Sequence, residues 1–156
     1  MNETQFDGRA IEQNVMRELK RFQRRTVDYV FDRLYGGKSP THRFLVADEV
    51  GLGKTLVAKG VIAKTIDHLQ RTGVERIDVI YICSNAEIAA QNVRRLNVTG
   101  NRDLSVSTRI TLLPRHLERL NEHGINFISF TPGTSFDMKS RTGVAEERAV
   151  IFRLLE

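Results

Sequence analysis

The run Leu45-Val46-Ala47-Asp48-Glu49-Val50-Gly51-Leu52-Gly53-Lys54-Thr55 constrains this chain more than any other segment. A short apolar stretch enters a loop holding two glycines, and the loop ends in Gly-Lys-Thr at the head of a helical pattern. Gly51 and Gly53 let the backbone turn so that its N–H groups converge on an oxyanion, where a side chain would block the approach. The helix that follows presents its positive N-terminal end to the same anion. Lys54 supplies a point charge within reach of β- and γ-phosphates, and the Thr55 hydroxyl is placed to ligand Mg²⁺. A nucleotide phosphate site is therefore expected over Asp48, Glu49, Val50, Gly51, Leu52, Gly53, Lys54 and Thr55. Lys54 and Thr55 are its candidate catalytic groups, and Thr55 its metal ligand. The first loop position is Asp48, where the usual pattern has glycine.

The surrounding periodicity places this loop in an α/β chain. Between Arg9 and Tyr35, Ile11, Val15, Leu19, Phe22, Val27, Val30, Phe31 and Leu34 recur mostly at three- and four-residue steps, predicting one long amphipathic helix or two short ones before Gly36-Gly37. Residues 43–47 read as a short buried strand, and 55–71 return to helical spacing. A near-continuous apolar run at 77–83 predicts a strand covered on both faces, followed by a helix over 86–96. Residues 97–107 are polar and loop-like, 108–113 suggest a strand, 114–122 a helix, and 126–130 a third buried strand. A last helix is expected over 144–155. Strand and helix alternate, so a P-loop parallel sheet flanked by helices is the economical arrangement.

Composition excludes several classes. With one cysteine, Cys83, no internal disulfide can form, and its place in an apolar run suggests a small buried thiol. No stretch approaches the roughly 20 apolar residues of a membrane helix, and the N-terminus lacks the layout of a secretory signal, so a cytoplasmic protein with no membrane partner is expected. Lys and Arg number 24 against 19 Asp and Glu, a net charge of +5 that suits a polyanionic partner. The cations are scattered along the chain, which points to phosphates rather than base edges.

The octet Asp48-Glu49-Val50-Gly51-Leu52-Gly53-Lys54-Thr55 resembles motif I of superfamily 2 helicases, in particular the chromatin-remodeller-like branch of translocases. The likeness extends over about residues 20–136. Arg21-Phe22-Gln23-Arg24-Arg25 resembles the glutamine element that reads adenine, which implies that Gln23 contacts the base. Ile80-Tyr81-Ile82-Cys83-Ser84-Asn85 with Gln91-Asn92 resembles motif Ia, which implies nucleic-acid backbone contacts by Ser84, Asn85, Gln91, Arg94 and Arg95. Ser129-Phe130-Thr131-Pro132-Gly133-Thr134 resembles motif Ib, which adds Thr131 and Gly133. ATP and Mg²⁺ are the implied cofactors, and nucleic acid is the implied partner, with DNA favoured over RNA.

Phosphoryl transfer in such enzymes also needs a strand-borne Asp-Glu pair. The only Asp-Glu dipeptide here is Asp48-Glu49, inside the loop itself. The expectation is thus an N-terminal helical segment over 1–41 and a partial RecA-like ATP-binding domain over 42–156, truncated before the Asp-Glu metal motif. Such a chain would bind ATP without hydrolysing it and would partner the remainder of a motor protein. A non-catalytic nucleotide-binding or interaction fragment is one alternative, and a small P-loop kinase or regulatory ATPase another.

Overall fold

The helical pattern of the first 35 residues is interrupted once. The computed structural model, which describes residues 6–37, 39–102, 105–107, 110–131 and 145–155, has α1 at Gly8–Glu18 and α2 at Arg21–Tyr35. Leu19 and Lys20 between them are extended (φ −79°, ψ 143° and φ −69°, ψ 158°), so the chain turns while Leu19 stays buried. Both helices start at identifiable acceptors. Asp7 takes the N–H groups of Arg9 and Ala10 at 2.9 and 3.2 Å, and the Gln23 side chain takes the N–H of Lys20 at 2.9 Å. Each satisfies donors that the first turn of a helix leaves orphaned.

Helix α3 (Lys54–Arg71) completes this part of the chain. The residues divide into two compact units, 1–77 with 95–101 and 78–94 with 102–156. In the first unit, Leu19, Val27 and Val57 form a core with Met16 and Val61 against it. Gly60 permits the close approach of α3 to this core, since a Cβ there would lie 2.7 Å from Val27 Cγ2 and 3.0 Å from Leu19 Cδ1. At the other end of α3 the side-chain amide of Gln70 clasps the start of α1, accepting from the Gly8 N–H at 2.9 Å and donating to the Phe6 carbonyl at 3.0 Å. Two ion pairs, Lys59–Glu18 at 3.4 Å and Lys64–Asp28 at 2.6 Å, join α3 to α1 and α2. Their carboxylates are exposed, so each contributes at most about 1 kcal/mol.

The second unit holds β1 (Ile77–Ile82, entered from the unit boundary), α4 (Ala86–Leu96, which runs back across that boundary), β2 (Ser105–Ser107), a 3-10 segment (Ile110–His116), α5 (Leu117–Asn121), β3 (Ile125–Phe130) and α6 (Ala145–Leu155). The sheet order is β1-β3-β2, and β2 pairs parallel to β3 with Ser105 opposite Phe127, Val106 opposite Ile128 and Ser107 opposite Ser129. All six residues of the central β3 are buried. Ile128 and Phe130 pack with Leu120, and Leu113 covers them. Asn126 ties the sheet to the preceding turn: its Nδ2 donates to the Leu120 carbonyl at 3.0 Å, the His123 carbonyl at 3.3 Å and Asp78 Oδ1 at 2.9 Å.

The α/β class with a parallel sheet and helices is as expected, and five local expectations are corrected. Residues 43–47 are in neither helix nor strand, and Leu45 is 82% exposed. A parallel strand needs a neighbour distant in sequence to take its N–H and C=O groups, and no described strand pairs with this run. β1 is covered on one face only, alternating in burial so that Ile80 and Ile82 are 55% and 64% exposed. The polar stretch 97–107 contains β2, because backbone pairing to β3 needs no apolar side chains. The segment assigned to a strand at 108–113 is a 3-10 helix from Ile110 onward, its Pro114 lacking the N–H that a ladder requires. Cys83 is half-buried rather than buried, at the end of β1. Among the described residues no helix is long and apolar enough to cross a membrane.

Candidate nucleotide site

The loop of residues 48–53 carries its two glycines in the left-handed region, Gly51 at φ 90° and Gly53 at φ 81°. Any other residue would be strained at either position. At Gly53 the backbone changes hand and α3 begins, the N–H groups of Leu56 and Val57 both bonding the Gly53 carbonyl at 2.8 and 3.1 Å. No side chain caps this helix start. The partial positive charge of the first turn is therefore left to an external acceptor.

Lys54 is fixed by the loop it follows. Its Nζ donates to the carbonyls of Asp48 and Glu49 at 2.8 and 3.0 Å. Two of three ammonium donors thus close the loop into a ring around the charge, and one remains for an incoming anion. The Asp48 and Glu49 side chains and Val50 are exposed, Val50 by 97%. Thr55 is half-buried in the first turn of α3. A Cβ at Gly51 would meet nothing within 4 Å, which leaves space beside the loop. The donor set of backbone N–H groups, one ammonium and one hydroxyl fits a polyphosphate with its hard divalent cation.

Gln23 comes to the loop from α2. It is 3% exposed, and its Nε2 donates to the Leu52 carbonyl at 3.1 Å. Sequence reasoning pointed to Gln23 as a base contact and missed this bond. The capping pattern signals only the bond to the Lys20 N–H, since a glutamine at the third position of a helix turns back toward its own N-terminus, whereas the Leu52 carbonyl lies 29 residues away and leaves no local signal.

The remaining predicted site residues lie on α4 and around the sheet. Ser84 and Asn85 are exposed after β1, and Asn85 Oδ1 caps α4 by accepting from the Ile88 N–H at 3.0 Å. Ala89, Val93 and Leu96 form the buried stripe of α4. Gln91, Arg94 and Arg95, at i, i+3 and i+4, share its exposed side. Asn92 turns inward and donates to the Tyr81 hydroxyl at 2.8 Å. Thr131 is buried at the end of β3, and Gly133 lies outside the described residues. Among the described residues no group of three or more His, Cys, Asp or Glu could hold a metal ion.

The model of the DEAD/DEAH box helicase family matches residues 20–152. Helix α1 therefore precedes the matched region, while α2, the phosphate loop and the sheet lie within it. No curated protein and no solved structure matches the chain.

Proposed function

Because the chain belongs to the DEAD/DEAH box helicase family, an ATP-binding helicase family, we propose that it binds Mg-ATP at residues 48–55 as the ATP-binding part of a nucleic-acid-dependent helicase or translocase. The observation that carries this reading is the pair of hydrogen bonds that Lys54 Nζ donates to the Asp48 and Glu49 carbonyls. An ammonium held in place before ligand arrives loses little freedom on binding, so its charge is available to phosphate at small entropic cost. The Gly51 and Gly53 backbone and the uncapped start of α3 supply neutral donors for the same anion. Thr55, next in the turn, is the group we assign to Mg²⁺, which when bound would neutralise phosphate charge.

The exposed Ser84, Gln91, Arg94 and Arg95 are assigned to nucleic-acid phosphates, with DNA as the favoured strand. The Asp-Glu-x-Gly-Leu-Gly-Lys-Thr form of the loop supports placement in the chromatin-remodeller-like branch. Contacts of this type fix a backbone without reading bases, so binding should be sequence-independent and weaken with salt. Calorimetric titration of the 156-residue chain with ATP, with and without Mg²⁺, tests the nucleotide reading, and wild-type protein that binds no nucleotide in either condition would sink it. Replacing Arg94 and Arg95 together by Ala should weaken single-stranded DNA similarly across sequences. Unchanged affinity would remove α4 from the interface.

A further inference from the structure

One outer face of α2 carries Phe22, Arg25, Tyr29 and Arg33, at steps of three, four and four residues that keep them in a single stripe. All four are exposed, Tyr29 by 60%. The helix buries Gln23, Val27 and Val30 on another face, so these rings are no part of its core. The segment after α2 widens the stripe. Thr41 donates its N–H and its hydroxyl to the Arg33 carbonyl at 2.8 and 3.1 Å, which folds the chain back along the helix. Phe44 thereby meets Tyr29 in an edge contact, with ring centroids 5.7 Å apart at 77°, and Arg43 precedes it in sequence. Such a contact covers at most one face of either ring, and both residues stay exposed.

Positive charge follows the same surface. Helix α2 holds Arg21, Arg24, Arg25 and Arg33 against Asp28 and Asp32. Asp28 is taken by Lys64 at 2.6 Å, and Asp32 turns toward the helix end at Gly36. Arg24 is engaged by the carbonyls of Leu19 and Arg17 at 3.0 and 3.1 Å. Among the described residues neither Arg25 nor Arg33 enters an ion pair.

We propose that this face of the first unit binds single-stranded nucleic acid, with bases stacked on the rings of Phe22, Tyr29 and Phe44 and phosphates met by Arg25, Arg33 and Arg43. Every base has a π face, so exposed rings serve any sequence, and guanidinium groups meet the backbone without reading it. Phe22 and Tyr29 stand about 10 Å apart along the helix axis, at about 1.5 Å per residue. That separation leaves room for more than one nucleotide. An acidic protein surface would answer the arginines alone, and a duplex keeps its bases stacked inside, so neither uses the rings. The residues differ from those of α4 assigned above, and the proposal does not rest on that assignment.

The test is a fluorescence-anisotropy titration of the 156-residue chain with a labelled oligothymidylate, an abasic strand of the same length and a duplex, over a range of salt. The wild-type chain should bind the oligothymidylate most tightly. Tyr29→Leu keeps apolar bulk and removes the π face. It should weaken the oligothymidylate by about fivefold to a hundredfold and leave the abasic strand unchanged. Tyr29→Phe keeps the ring and should bind as wild type. Replacing Arg25 and Arg33 together by Gln should weaken both strands and lower the slope of log affinity against log salt by about 1.4, as for two phosphates. Thermal unfolding and Mg-ATP affinity should match wild type in all of these, because the side chains are exposed and lie outside the phosphate loop. The Tyr29→Leu effect should persist in a chain already carrying Arg94→Ala and Arg95→Ala, so that failure at α4 and failure here are told apart. Equal losses on the two single strands in Tyr29→Leu would overturn the proposal, and so would an unchanged salt slope in the arginine pair or a preference of the wild-type chain for duplex. Unchanged strand binding with altered sedimentation in Tyr29→Leu would also overturn it, by making the face a protein contact.

Discussion

The ammonium of Lys54 lies 2.8 Å from the carbonyl oxygen of Asp48, six residues earlier, and is held there by the loop that it helps to close. The lysine thus has a structural duty toward the loop and a charge directed at whatever the loop receives. Lys54→Ala removes both, yet the side chain is exposed and packs into no core. The expected outcome is a loss of about ten- to a hundredfold in ATP affinity, the range for a charged hydrogen bond, with unchanged thermal stability. Lys54→Arg should not rescue it, because a planar fork cannot replace a compact charge centred between two carbonyls. Titration of the three proteins checks this, and full affinity in Lys54→Arg would show that the ring around the charge is unimportant.

Gly60 sits where α3 meets Val27 and Leu19. Alanine there should gain about 1 kcal/mol of helix propensity. The new methyl group would lie 2.7 Å from Val27 Cγ2, however, and a β-branched side chain has few rotamers with which to retreat. Overpacking of this kind costs about 1–3 kcal/mol, so Gly60→Ala should be neutral to destabilising by about 2 kcal/mol. Combining it with Val27→Ala should recover part of the loss. Urea denaturation of the four proteins in this cycle would show the coupling, and strict additivity would count against the contact.

The clasp between Gln70 and the chain at Phe6 and Gly8 lies outside the family-matched region at one end and inside it at the other. Gln70→Ala leaves the Gly8 N–H and Phe6 carbonyl without their partner and should cost about 1–2 kcal/mol. Gly8→Ala should cost more, because a Cβ would lie 2.8 Å from the Asp67 Cα, which belongs to the α3 backbone and cannot swing aside. Protection of α1 amides should fall in both, while those of β3 keep their rates. Undiminished protection of α1 in Gly8→Ala would show that the helix pair adjusts more easily than its packing suggests.

In the sheet unit, Asn126 Nδ2 is shared among three oxygens, of Leu120, His123 and Asp78. Asn126→Asp would place a carboxylate among acceptors with no donor to offer and should destabilise the unit by at least about 3 kcal/mol. Asn126→Ala loses the same bonds without introducing a charge and should cost less. Equal stability of the two variants in denaturant titration would mean that the site admits water or a cation.

Much of this architecture is legible from local patterns. The helices at 8–18, 21–35, 54–71 and 86–96 follow apolar spacing, because a helix makes its hydrogen bonds within itself and needs only one apolar stripe to find a neighbour. The strands at 77–82 and 125–130 follow apolar runs of strand length. The phosphate loop is legible for a related reason: its glycines, lysine and threonine are contiguous, and a helix start needs no distant partner to present its N–H groups.

What the sequence alone left undecided depends on partners remote in the chain. Whether residues 43–47 join a sheet, whether the outer face of Ile80 and Ile82 is covered, and whether the polar Ser105–Ser107 pairs are properties of neighbours, since a strand's hydrogen bonds are made by another segment. The break at Leu19 and Lys20 is of the same kind, because the periodicity runs through it and only burial of Leu19 against Val27 and Val57 fixes the turn. Gln23 is the sharpest case. Its position in the sequence marked it as important, but the bond of its amide to the Leu52 carbonyl was decided by where α2 came to rest beside the loop, a matter of tertiary packing that no local pattern encodes.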